Sequence, residues 1–390
     1  MEIPKNWKIK TFEELFEFKN GVNADKSSYG GGVKFVNVME VIYNDCITID
    51  KISGAVKIRE DQKKLYSVVN GDVLFNRTSE TTEDIGLSAV FKGDGEVTFG
   101  GFVIRGRSKG NEIDNEFKKY CFRSDNIRKQ IIVRGQGAVR SNIGQGDLQT
   151  VSVILPPLPE QQKIATILSK WDELIEQQTQ LIVAKEKRKK GLMQKLLTGE
   201  VRFSEFKGEW EEVKLKELVK KSKGNIVEQN EEKKGRPVID TTSFNGAPQM
   251  FTEDNEANVC LETDVLLLWD GSKAGKAMTG KVGVVGSTFS VLKPSSKIDH
   301  YYLCYHLTFN VGRIMNVREG SGIPHVPKDF LDWYRINLPD IKEQKKVTSL
   351  LLKLSDEIHS LKDELKTIKL QKKGLMQQLL TGKIRVKGLK

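Results

Sequence analysis

The stretch LPPLPEQQKIATILSKWDELIEQQTQLIVAKEKRKKGLMQKLLTGEVRF, from Leu155 to Phe203, constrains this chain more than any other, because a second copy runs from Leu338 to Val386. Lys189-Lys190-Gly191-Leu192-Met193-Gln194 matches Lys372-Lys373-Gly374-Leu375-Met376-Gln377, and Glu160-Gln161 matches Glu343-Gln344, all at a constant offset of 183 residues. The copies therefore align without a gap. A repeat of this kind sets the architecture before any local propensity is weighed. The chain reads as four segments in the order A-B-A′-B′: residues 1–154, 155–203, 204–337 and 338–390.

Segments B and B′ are helical by period. Ile164, Leu168, Trp171, Ile175, Gln178, Ile182, Lys185, Lys189, Leu192 and Leu196 step by alternating four and three. So do Val347, Leu351, Leu354, Ile358, Leu361, Leu365, Ile368, Lys372, Leu375 and Leu379. Each set forms the a/d seam of a coiled coil. Pro159 and Pro339 mark the starts, and Thr198-Gly199 and Thr381-Gly382 the stops. At 1.5 Å per residue, roughly 38 residues make a rod of about 57 Å. An apolar seam of that length needs a partner, and the other copy supplies one. With a folded domain between the copies, an antiparallel pair is the economical arrangement.

Segments A and A′ read as mixed α and β domains. In the first, β-branched runs at Lys34–Tyr43, Leu65–Val69, Asp72–Asn76, Leu87–Phe91 and Val97–Arg105 precede a helical run over Asn115–Val133. A Gly-rich polar loop from Arg134 to Asn142 and a strand over Thr150–Leu155 follow. The second replays the order from Trp210, as the first does from Trp7. Asp72-Val73-Leu74-Phe75 corresponds to Asp264-Val265-Leu266-Leu267. A helix is expected over Asp299–Val317, and Arg318–Val326 stands where the first Gly-rich loop stood. The predicted fold class is α+β: two mixed domains, each followed by a long α-helix, with the helices packed as an antiparallel coiled coil and related by an internal pseudo-twofold repeat.

Net charge of +11 points to a polyanionic partner, nucleic acid first. Three of those charges fall in Leu155–Phe203 and seven in Leu338–Lys390, so the mixed domains are near neutral and must contact DNA through locally clustered groups. Cys46, Cys121, Cys260 and Cys304 are scattered singly, as expected of reduced thiols in a cytoplasmic protein without a zinc site. The longest apolar run, Val265–Trp269, is too short to cross a bilayer. Gly271-Ser272-Lys273-Ala274-Gly275-Lys276-Ala277 falls one residue short of a phosphate loop and lacks its hydroxyl. Pro339-Asp340, Glu343 and Lys345 echo a nuclease motif but sit at a helix start, where Asp340 and Glu343 favour the N-terminal dipole. Neither metal-binding histidine spacing nor a nucleophile grouping is present, and the chain reads as non-catalytic. A coiled-coil scaffold without a DNA role and an enzyme with an unfamiliar site are the alternatives.

Two unlike domains, each followed by the same helix with an EQxK start and a GLMQxLLTG end, resemble the specificity subunit of type I restriction-modification enzymes. The opening Trp7 and Trp210, the strand-and-loop pieces GDVLFNRTS and TDVLLLWDGS, and the runs LPPLPEQQKIA and LPDIKEQKKV add to the resemblance, which spans essentially the whole chain. It implies two target recognition domains, each reading half of a bipartite, asymmetric site on double-stranded DNA. It also implies that the helices act as spacer and docking surface for two methyltransferase (modification) subunits, with restriction subunits joining the complex. S-adenosylmethionine, ATP and magnesium would then belong to partner chains, and none to this one. A rod of about 57 Å suits half-sites one to two DNA turns apart, at about 34 Å per turn.

The candidate DNA-contacting residues are Asn76, Arg77, Thr78, Ser79, Arg134, Gln136, Arg140, Ser141 and Asn142 in the first domain. In the second they are Ser272, Lys273, Lys276, Arg318, Ser321 and His325. Arg77 or Arg140 suits a bidentate pair with guanine, and Gln136 or Asn142 with adenine. Gly135, Gly137, Gly320 and Gly322 are expected to supply backbone freedom. Trp7 and Trp210 are expected to anchor the core, and Trp171 to pack in the seam.

Overall fold

The computed structural model describes residues 3–137, 140–241 and 248–386. The chain groups into two compact units, and the division falls within both long helices. One unit takes in residues up to Thr179 and from Glu364 onward; the other is Gln180–Asp363.

The first unit is built on a five-stranded sheet in the order Phe16–Asn20, Val103–Ser108, Val73–Asn76, Ser88–Phe91 and Cys46–Ile47. A three-stranded sheet of Gly54–Val56, Tyr29–Val36 and Val97–Phe99 lies beside it in the order. Lys8–Thr11 pairs antiparallel with Ser152–Leu155, so the two ends of the first mixed segment are tied together where the first long helix begins. The second unit repeats that tie with Glu211–Lys214 against Arg335–Leu338. Its sheets run Val219–Lys223, Phe289–Pro294, Val265–Leu268, Ala277–Met278, and Phe251–Thr252, Arg236–Ile239, Gly283–Val285, Val259–Cys260. Central strands such as Val73–Asn76 and Val265–Leu268 are buried along their whole length, which is why they read as continuous apolar runs.

Local signals correct several sequence expectations. Lys34–Tyr43 is not one strand: Tyr29–Val36 is extended, but Val38–Tyr43 is helical. A capping box overrides the β-branched residues there, with Asn37 accepting from the Val38 amide and Glu40 accepting from Asn37 N at 3.1 Å. Leu65 ends a short helix, and no strand forms over Leu65–Val69. Val97–Arg105 divides at Gly100-Gly101 into strands that belong to different sheets. The two helical runs are also each divided, into Asn115–Cys121 and Asp125–Arg134, and into His300–Phe309 and Val311–Asn316.

The long helices are Leu158–Leu197 and Ile341–Leu380, 40 residues each. Every seam position predicted from the period is buried or half-buried. In the first unit, Asp172 meets Lys372 and Gln178 meets Glu364. In the second, Lys185 meets Glu357, and Arg202, just past the end of the first helix, meets Glu343. Rising numbers on one helix meet falling numbers on the other, so within each unit the pair is antiparallel. Ile164, Ala165, Leu168, Leu379 and Leu380 belong to the core of the first unit, and Leu196, Leu197, Val347 and Leu351 to that of the second. At about 25 cal/mol per Å² of apolar surface, docking on the domains is what makes helices of this length stable.

The repeated Glu-Gln at each helix start has a different role from the one its position suggests. Asp340 does cap its helix, accepting from Lys342 N at 2.8 Å. Glu343 instead is buried and accepts from Arg202 Nε (2.9 Å) and Nη2 (2.7 Å) and from the Trp210 indole N–H (3.2 Å). Glu160 is held alike by Arg385 Nε (2.7 Å), Arg385 Nη2 (2.8 Å) and the Trp7 indole N–H (3.1 Å). Gln161 donates to the Glu112 and Pro156 carbonyls and accepts from Asp114 N, and Gln344 does the same with Lys297, Pro339 and Asp299. The joint between domain and helix is thus made twice from the same side chains. Trp7 and Trp210 anchor these joints, and Trp171 is half-buried on the seam.

Candidate nucleic-acid interface

In each unit the polar loop that follows the central strand meets the Gly-rich loop in a small patch of three bridged segments. Thr78–Ser79 pairs antiparallel with Ser141–Asn142, and Asn142 bridges in turn to Gln136. In the second unit Asp270 bridges His325, which bridges Glu319. The registers match at the next bond inward: Ile143 N donates to Arg77 O at 3.0 Å, and Val326 N to Trp269 O at 2.9 Å. The row Gln136, Asn142, Thr78 is therefore rebuilt as Glu319, His325, Asp270, and Trp269 stands where Arg77 stands.

A glycine closes each patch. Gly137 has φ +121 and Gly320 φ +99, a region open to glycine and costly for other residues. A Cβ would lie 2.1 Å from Arg140 O at the first and 2.5 Å from Ile323 O at the second.

The predicted residues separate by placement. Gln136, Arg140 and Asn142 are exposed, and Arg77 and Thr78 half-buried, on one contiguous patch. Thr78 Oγ1 donates to Asn142 Oδ1 at 2.8 Å, Arg77 Nη1 reaches Gly101 O at 3.4 Å, and Arg140 Nη2 lies 3.4 Å from Glu80. Asn76 is wholly buried: its amide donates to Asp84 O and accepts from Thr78 N, shaping the loop from beneath. Ser79 and Ser141 are buried within the patch. Arg134 is engaged by Thr150 and the Gln130 carbonyl, which fixes the end of its helix.

In the second unit, Arg318 donates from Nε to Met315 O and from Nη1 to Ser272 O, joining the two loops. His325 Nε2 lies 3.7 Å from Glu319, and Ser272 and Ser321 are exposed. Lys273 and Lys276 are half-buried on the same turn. An open cleft of about 670 Å³ runs between the loops, lined by Asp270, Ser272, Lys273, Thr288 and Ile323. Sequence reasoning missed Asp270 and Glu319. Aligning GDVLFNRTS with TDVLLLWDG from the shared Asp-Val-Leu would have placed Asp270 opposite Thr78.

Among the described residues no group of three or more His, Cys, Asp or Glu is placed to hold a metal ion, and no helix is long and apolar enough to cross a membrane. The chain matches the family of the type I restriction modification DNA specificity domain twice, over residues 4–184 and 207–370. It is 28% identical to a putative type I restriction enzyme MjaX specificity subunit of Methanocaldococcus jannaschii, over 99% of this chain and 95% of that one. The MjaVIII specificity subunit of the same organism is 33% identical over 47% of this chain and 45% of that protein. The fold matches a type I specificity subunit from M. genitalium with a TM-score of 0.59 at 17% identity, over 97% of this chain and 98% of that one. It also matches the corresponding subunit from Thermoanaerobacter tengcongensis, with a TM-score of 0.53 at 18% identity over 98% and 99%. With both halves of its repeat matched and two recognition domains on its long helices, the chain belongs to the family of type I restriction-modification DNA specificity subunits.

Proposed function

We propose that each recognition domain reads one half of a bipartite, asymmetric DNA site through its patch of three bridged segments. The observation that carries this reading is the same backbone platform made twice with different side chains. The first presents hydroxyl and amide groups beside Arg77 and Arg140, suited to adenine and guanine edges in the major groove. The second presents Asp270 and Glu319 around His325, suited to the amino group of cytosine, which carboxylates accept. Lys273, Lys276 and Arg318 lie beside that row and serve the phosphate contacts that fix register without specifying sequence.

The long helices set the gap between half-sites and dock two modification subunits, one at each copy of the repeat. Methyl transfer and ATP-driven cleavage, with their S-adenosylmethionine and magnesium, reside in the modification and restriction subunits. The test is selection of random duplexes by the complex of this chain with its modification subunit. A gapped motif with two unrelated halves is expected, and Arg77→Ala should relax one half alone, at about 1–3 kcal/mol. Absence of any gapped motif would overturn the reading, and equal weakening on all DNA would move Arg77 to a phosphate.

A further inference from the structure

The repeat is broken in one cluster, where two of four side chains are kept and two are replaced. In the first unit, Asp172 on the first long helix accepts from Lys119 Nζ (2.8 Å), from the Tyr120 hydroxyl (2.7 Å) and from Lys372 on the second. Lys372 Nζ also stands 5.3 Å over the Tyr120 ring. Two lysines and a phenol thus surround one carboxylate. Burial works against that charge, but bonds from Lys119, Lys372 and Tyr120 outweigh it and hold the Asp172 pKa below the usual carboxylate range.

The helix offset of 183 carries Asp172 to Ser355 and Lys372 to Lys189. The helices capped by Asp114 and Asp299, whose amides donate to Gln161 and Gln344, carry Tyr120 to Tyr305 and Lys119 to Cys304. In the second unit Lys189 Nζ stands over the Tyr305 ring at 5.5 Å, as Lys372 does over Tyr120. Tyr305 Oη and Ser355 Oγ are 3.2 Å apart. One cation, the ring and the hydroxyl are in place, whereas the second lysine is replaced by Cys304 and the bonding carboxylate by Ser355. Among the described residues Lys189 makes no ion pair within 4 Å; burial and Lys362 hold its pKa below the usual lysine value, against the weaker opposing pull of Asp356 and Glu186. An open cleft of about 430 Å³ lies at this point, walled by Met193 and Ile358 and rimmed by Lys190, His359 and Glu186, whose carboxylate is already paired with Lys362 at 2.7 Å.

We propose that this cleft receives an Asp or Glu side chain of a modification subunit, which supplies in trans the carboxylate that Asp172 supplies within the first unit. The apolar wall of Met193 and Ile358 suits the methylene stem of a protein carboxylate better than a DNA phosphate. A charge-assisted bond from a partly desolvated lysine is stronger than one made in open solvent, so the occupant gains affinity as well as register. The two modification subunits are then docked inequivalently despite the repeat. This inference rests on the reading of the helices as a docking surface.

The experiment titrates the cognate modification subunit onto the full-length chain and counts bound copies by native mass spectrometry, with affinities from calorimetry. Ser355→Asp returns an intrachain carboxylate to Lys189 and should weaken one of two binding events at least tenfold while the other is unchanged. Lys189→Ala should weaken the same event, and Ser355→Asn, which matches Asp in size without its charge, should weaken it less than threefold. Two unchanged events in both Ser355→Asp and Lys189→Ala would overturn the inference and leave the docking reading intact. Equal losses in the Asp and Asn variants would overturn the carboxylate in favour of simple filling. A loss of DNA affinity by the chain alone, with subunit binding unchanged, would overturn it in favour of a phosphate. A wild-type chain that binds no modification subunit would overturn the docking reading itself.

Discussion

Replacing Arg385 by Ala tests the joint at the start of the first long helix. The Glu160 side chain is 1% exposed and that of Arg385 41% exposed, and the guanidinium supplies two of the three bonds to the carboxylate. Removing one partner of a buried pair costs about 3–5 kcal/mol because the other charge stays behind unpaired. Two-fifths of Arg385 is already in solvent, so the expected loss is discounted to roughly 2 kcal/mol. For a unit of this size that lowers Tm by about 4–8 °C. Burial raises the Glu160 pKa, but Arg385 and Trp7 more than offset it, and the folded value lies below the usual one. The sign follows: the stabilisation is complete above the ordinary carboxylate pKa and is lost as pH falls through the lower folded value. The difference between wild type and Arg385→Ala, followed by calorimetry, should therefore shrink under acid. Glu160→Gln removes the charge that the Ala variant strands, so the double variant should cost less than the sum of the two single changes. Additive losses, or an Arg385→Ala loss below about 0.5 kcal/mol, would show that the pair is a surface contact of no consequence.

Three further perturbations have defined outcomes. His306 is buried against the Tyr334 hydroxyl at 3.1 Å, and its burial lowers its pKa from 6.5 to about 4. The unfolded chain takes up the proton first, so stability of the second unit should fall by about 3 kcal/mol between those limits as pH drops, and His306→Gln should flatten the slope measured by denaturant melts. Gly320→Ala places a Cβ 2.5 Å from Ile323 O at positive φ; a loss of about 1–3 kcal/mol and weakened reading of one half-site are expected from melts and duplex selection. Inserting four residues before Thr198 adds about 6 Å of helix, and methylome mapping should show the gap lengthened by about two base pairs with both half-sites intact. An unchanged gap would mean that the helices are not the ruler.

The long helices were legible because their seam depends only on period, and even Gln178, Lys185 and Lys189 follow it into half-buried positions. Regions where one local signal overrides another were harder. Val38–Tyr43 has strand-like composition, but Asn37 and Glu40 cap a helix across it. Glu343 reads as a helix-start carboxylate until Arg202 and Trp210, more than 130 residues away in the chain, are found around it. At the candidate interface, loop composition located the segments that meet in the patch yet did not separate buried Asn76 from exposed Asn142. That distinction depends on cross-strand register, which no linear pattern encodes. The place of Asp270 and Glu319 beside His325 likewise follows from bridges between loops and not from loop composition.

The Gln161 and Gln344 joints touch their domains through main-chain atoms: two carbonyls and one amide in each case. Main-chain groups are offered by any sequence that adopts the same turn. A domain grafted from another chain keeps these bonds whenever it offers the same turn. What limits an exchange of whole heads on this frame is instead the side-chain packing, such as that of Ile164 and Leu168 and the bonds of Lys119 and Tyr120 to Asp172.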